Sequence, residues 1–124
     1  SALEGATIPS DDPLDDYTEA HVHGPLIVAR DVEAIVLDPS FEGGPVAVEA
    51  RLLAPVAWHE GYRLSQETLA AKADYRGPEV VALGQRIAVS GLTPRDLGAF
   101  ARCEPDHDPQ TLKRLWHCMA RFGR

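Results

Sequence analysis

The chain has 124 residues and a formal net charge of -7, from 12 Lys and Arg against 19 Asp and Glu. That length suits one domain with a modest core. No run of about 18 apolar residues offers a membrane span, no basic and apolar leader is recognisable, and no basic footprint for nucleic acid stands out.

The acidity is concentrated at one end. Residues 1–20 hold Glu4, Asp11, Asp12, Asp15, Asp16 and Glu19 with no Lys or Arg, which leaves residues 21–124 at -1. Residues 1–14, SALEGATIPSDDPL, are small, acidic and interrupted by Pro9 and Pro13, so they are expected to form an extended or disordered lead-in. Residues 15–124 then form a single domain. The chain opens without Met, which fits the C-terminal part of a longer protein.

Residues 15–38, DDYTEAHVHGPLIVARDVEAIVLD, hold the strictest alternation of chemically active and small side chains. On a strand, residues two apart share a face. A strand over 16–23 would therefore put Tyr17, Glu19, His21 and His23 on one face and Thr18, Ala20 and Val22 on the other. Gly24-Pro25 breaks the run, and Val32–Leu37 supplies a second, β-branched strand ended by Asp38-Pro39.

Further on, Pro45 suits the first turn of a helix that Pro55 stops, with Val46, Ala50 and Leu53 facing a core. Val56–His59 reads as a third strand. Ser65 caps a short helix that runs to about Ala73. Pro78 opens another, with Val80, Leu83 and Ile87 on one stripe. Thr93-Pro94 starts a fourth, whose apolar side is Leu97, Phe100 and Ala101. Asp108-Pro109 is the clearest cap in the chain, ahead of a stripe of Leu112, Leu115, Trp116 and Met119. The expected fold is α+β: a few antiparallel strands near the N-terminus, then four to five short helices. Three strands are few for a stable sheet, so helices cover one face or further strands come from elsewhere.

Glu19 is the sharpest candidate for chemistry. A carboxylate there could orient a ribose hydroxyl, stabilise a developing cation or act as a base, although an exposed strand residue is the commoner reading. His21 and His23 are expected to line a polar pocket. A metal held by Glu19, His21 and His23 is the alternative, with no fourth ligand at a familiar spacing. Trp58–Tyr62 reads as an aromatic anchor more readily than as a pocket wall. In Asp106-His107-Asp108 the cap role of Asp108 favours structure over acid–base work. Arg102, Lys113, Arg114, Arg121 and Arg124 read as a solvated helix face. Cys103 and Cys118 fit neither a metal pair nor a disulfide framework, so two reduced thiols are expected, with one bridge left open. With no leader and no span, a cytoplasmic location is expected, and secretion by a signal-independent route stays open.

The segments DDYTEAHVHGPL, RDVEAIVLDPSF, WHEGYRLS, YRGPEV and LKRLWHCMARFG resemble the C-terminal part of an uncharacterised bacterial family, a domain of unknown function, over Asp15 to Gly123. The strand glutamate followed by DVEAIV also resembles the last element of ADP-ribosyltransferase toxins. That resemblance implies NAD as substrate, Glu19 as the catalytic glutamate on the nicotinamide ribose, and Tyr17, His21 and His23 as substrate-binding residues. It departs from the toxin pattern at Tyr17, where a Gln or Glu is usual. It also implies that the arginine and serine elements of the site precede Asp15, in an N-terminal remainder of the protein. Two readings stand beside it: a metal-dependent hydrolase built on Glu19, His21 and His23, and a non-catalytic domain that binds a partner chain.

Overall fold

The computed structural model describes residues 17–124. The expected lead-in, and Asp15 and Asp16 at the start of the expected first strand, lie outside them. Within them the order is α1 (Val28–Asp31), β1 (Ile35–Leu37), a 3-10 turn (Pro39–Phe41), α2 (Pro45–Leu53), β2 (Val56–Trp58), α3 (Gln66–Ala71), α4 (Ala73–Arg76), α5 (Pro78–Ile87), α6 (Pro94–Cys103) and α7 (Pro109–Phe122).

The strand expectations need correction. β1 and β2 form the one sheet among the described residues, and they run parallel, with Ile35 opposite Val56 and Leu37 opposite Trp58. An antiparallel pair can close through a tight turn, whereas a parallel pair needs a crossover long enough to return the chain to the same end. The 3-10 turn and α2 supply that crossover. The expected strand over 16–23 does not form in its described part, and the strand over 32–37 is reduced to its last three residues. A strand lasts only where its backbone groups find a ladder partner. Residues 17–26 make no backbone hydrogen bond to another described residue. After Gly24 and Pro25 the chain instead winds into one helical turn, in which the Asp31 carboxylate accepts the Ile27 N–H at 2.8 Å.

The helices that start at Ser65, Pro78, Thr93 and Asp108 follow their sequence signals, whereas the single turns α1 and α4 are unexpected. The Thr93 side chain accepts the Asp96 N–H while Asp96 accepts the Thr93 N–H, a reciprocal cap at the start of α6. Asp108 accepts from the N–H groups of Gln110 and Thr111 at the start of α7. The Gln66 amide on α3 donates to the carbonyls of Gly84 and Ala88 at the end of α5, so one helix satisfies the end of another.

The core is assembled almost wholly from the helical half. Leu64, Leu69, Val80, Leu92, Leu97, Leu112, Leu115, Cys118 and Met119 form one buried cluster. Each fully buried leucine contributes roughly 1.5–3 kcal/mol of transfer free energy. Gly84 lets α5 approach α3, since a Cβ there would collide with Leu69. Leu64 and Leu92 exchange two backbone hydrogen bonds (2.9 and 2.8 Å), and the Arg124 N–H reaches the Arg63 carbonyl at 2.9 Å. Two apolar expectations shift: Trp116 and Leu53 are exposed, and α2 buries Ala50, as expected, together with Ala47. No helix among the described residues is long and apolar enough to cross a membrane.

Candidate functional site

The first place to look is the segment with the alternating pattern. Glu19 and His21 do meet, with the carboxylate 3.5 Å from the His21 Nε2. That one contact forms although no strand does. Tyr17, Glu19, His21 and His23 are all exposed. None of them lines the cavities described below. No three His, Cys, Asp or Glu side chains among the described residues gather as a metal ion would require. Such a pair can bind or polarise a hydroxyl that is brought to it, but it offers no enclosure of its own.

A more fully built arrangement lies where β1 and β2 end. Both parallel strands point their carboxyl ends the same way, and in open α/β sheets ligands lodge in the crevice beyond such ends. Asp38 follows β1 directly and is the buried charged residue of the described chain, 6% exposed. One carboxylate oxygen accepts the Ser40 N–H and the other the Tyr62 N–H, both at 2.8 Å. His59 follows β2, with its Nε2 3.5 Å from the same carboxylate. Burial pushes the Asp38 carboxyl up, but the hydroxyl and amide of Ser40, the Tyr62 amide and the neighbouring His59 outweigh it and hold it below the ordinary range.

The His59 Nδ1 accepts the Gly61 N–H at 2.9 Å, so the neutral ring carries its proton on Nε2, toward Asp38. Both ring nitrogens are engaged, and His59 organises its loop instead of serving as a free base. Gly61 holds φ +100°, where a side chain would be strained, and a Cβ there would press on the Pro39 ring at 3.4 Å. The Tyr62 ring lies against His59, with centroids 5.1 Å apart.

Two adjoining cavities open over this loop. One, about 530 Å³, is lined by His59, Glu60, Gly61, Tyr62, Gly123 and Arg124. The other, about 350 Å³, shares Glu60, Gly61, Tyr62 and Arg124 and adds Asp38, Ser40, Arg63 and Thr93 among its walls. The Trp58–Tyr62 run, expected to be an anchor, thus supplies cavity walls through His59 and Tyr62. Asp38, Arg63 and Arg124 were not among the candidates read from the sequence. The available signal was Asp38-Pro39 at a strand end, and it acquires meaning only once the pairing is known to be parallel.

A third cavity, about 460 Å³, lies between α5 and the start of α7, against Glu79, Arg86, Asp106, His107 and Asp108. Its polar groups are largely occupied. Asp108 caps α7, Glu79 pairs with Arg114 at 2.5 Å, and the His107 Nδ1 sits 2.6 Å from the Glu104 carbonyl. The structural role expected for Asp108 is the one observed.

A family profile described as a protein of unknown function, DUF3626, matches residues 3–122. The chain belongs to the DUF3626 family. The uncharacterised family inferred from the sequence is thereby shown, while the likeness to ADP-ribosyltransferases gains no support from the match. No curated protein and no solved structure matches the chain.

Proposed function

We propose that this DUF3626 chain is the C-terminal portion of an NAD-using, ADP-ribosyltransferase-like protein, with Glu19 as the carboxylate that meets the nicotinamide ribose. The observation that carries the reading is the Glu19–His21 pair at 3.5 Å, on an exposed segment whose backbone has no ladder partner among the described residues. Strands from the N-terminal remainder of the same protein would pair with that segment and enclose the site.

In the proposed reaction Glu19 accepts a hydrogen bond from a ribose hydroxyl of NAD. As the bond from C1′ to the nicotinamide nitrogen breaks, positive charge develops on the ribose, and the carboxylate stabilises it. Nicotinamide leaves with the bonding electrons. A nucleophile or water then attacks C1′ and loses its proton. Tyr17, His21 and His23 would line the nicotinamide end.

The test is Glu19→Gln in the protein translated from its complete reading frame, followed by release of nicotinamide from NAD. A loss of about a hundredfold or more with unchanged thermal stability is expected, the scale at which one charge-stabilising group acts. Full turnover in that variant would overturn the reading.

A second reading is a non-catalytic partner-binding domain, favoured by the apolar side chains exposed in the same region, Val22, Leu26, Ile27, Val36 and Leu52. It predicts no nicotinamide release by the wild-type protein at all. The metal-dependent hydrolase reading has no such observation behind it.

A further inference from the structure

The cleft at the carboxyl ends of β1 and β2 contains two arginines whose charges are unspent. Elsewhere, most arginines of the described chain are accounted for by neighbours. Arg30 meets Asp31 and Arg114 meets Glu79, while Arg51, Arg76, Arg86 and Arg121 lie over aromatic rings. Arg63 and Arg124 have neither a carboxylate nor a ring against their side chains among the described residues, and the Arg124 guanidinium donates only to the adjacent Gly123 carbonyl. Both line the same cavity.

The two carboxylates beside them differ in availability. Asp38 is committed to Ser40, Tyr62 and His59, fixes the loop and forms no ion pair with either arginine among the described residues, although its charge remains in the cavity wall. Glu60 is exposed at the rim. Tyr62 stands between the two cavities with part of its ring open, backed by His59 on a loop that Asp38 and Gly61 hold in place. A preformed wall of this kind costs a ligand little ordering. Guanidinium groups match planar or tetrahedral oxyanions through paired N–H donors, and an open aromatic face favours a flat ring.

We propose that this cleft binds a small oxyanion borne on a planar ring, with Arg63 and Arg124 on the oxyanion and Tyr62 on the ring. The oxyanion is a phosphate or a carboxylate. Glu19 and His21 line neither cavity, and the proposal stands apart from the transferase reading.

Titration of the full chain with phenyl phosphate, benzoate and inorganic phosphate, followed by amide and arginine Nε chemical shifts, tests it. Saturable shifts centred on residues 59–63 and 123–124 are expected, with phenyl phosphate or benzoate tighter than inorganic phosphate. The better of the two aryl probes tells phosphate from carboxylate. Arg63→Gln and Arg124→Gln are each expected to weaken binding about tenfold, the scale of one charge-assisted hydrogen bond. Arg102→Gln, on the exposed end of α6, is expected to leave it unchanged. Shifts that do not saturate, that spread over all basic residues, or that persist equally in Arg63→Gln overturn the proposal. The wild-type shift map decides it even where a variant fails to fold.

Discussion

Residues 64–123 and residues 17–58 are built on opposite principles. The first stretch closes a core upon itself: seven leucine, valine and methionine side chains of its buried cluster are at or below 1% exposure. The second leaves Leu52 82%, Val22 73% and Leu26 70% exposed and buries only Ala47 and Ala50 among its apolar residues. The difference lies in whether an element finds a partner within the described chain. Four amphipathic helices can cover one another's stripes, whereas two three-residue parallel strands cover little, and parallel sheets are ordinarily buried on both faces.

The largest expected effect tests the closed half. Leu115→Ala, at the middle of α7 and fully buried, is expected to cost about 2–5 kcal/mol of stability, read by denaturant unfolding. A loss near zero would mean that the cluster is not the stabilising core. Asp38 tests the join between the end of β1 and the loop at Tyr62. Its removal by Asp38→Ala leaves the N–H groups of Ser40 and Tyr62 without their acceptor and is expected to cost about 2–4 kcal/mol.

The same residue sets a pH dependence. Its folded pKa lies below the unfolded value, so its stabilisation is complete above the unfolded pKa, near about 3.9, and is lost as pH falls through the folded one. Asp38→Asn is therefore expected to flatten part of the acid limb below about pH 4. Asp31, Glu79 and Asp108, all exposed, are shifted the same way and act in the same direction. An unchanged acid limb would place the sensitivity elsewhere. The smallest effect belongs to the open half: Leu52→Ser is expected to change stability by less than about 0.5 kcal/mol. A larger loss would show that α2 is covered in solution and would erase the contrast.

What could be read from the sequence divides along the same line. Helices are announced locally, by Ser65, Thr93-Pro94 and Asp108-Pro109, and those starts are the ones observed. Strands are announced by alternation, but they exist only through a partner. Tyr17–His23 has the alternation and finds no partner among the described residues, while Ile35–Leu37 finds one nineteen residues beyond its end, at Val56. No local signal distinguishes those outcomes. The same reason hid the cleft. His59, Tyr62 and Arg63 are neighbours in the sequence, but Asp38 comes beside them only through the parallel pairing, and Arg124 only through its backbone hydrogen bond to Arg63. Glu19 and His21 could be paired from spacing alone, and they are 3.5 Å apart.

The two cysteines carry one more consequence. Cys103 is exposed at the end of α6, and Cys118 is buried in the core, where desolvation pushes its thiol up. A maleimide or disulfide reagent therefore meets one ready sulfur in the native protein, and the second only when the helices part. The rate of the second alkylation is a clock for opening of the helical half, built into the native sequence and needing no introduced probe.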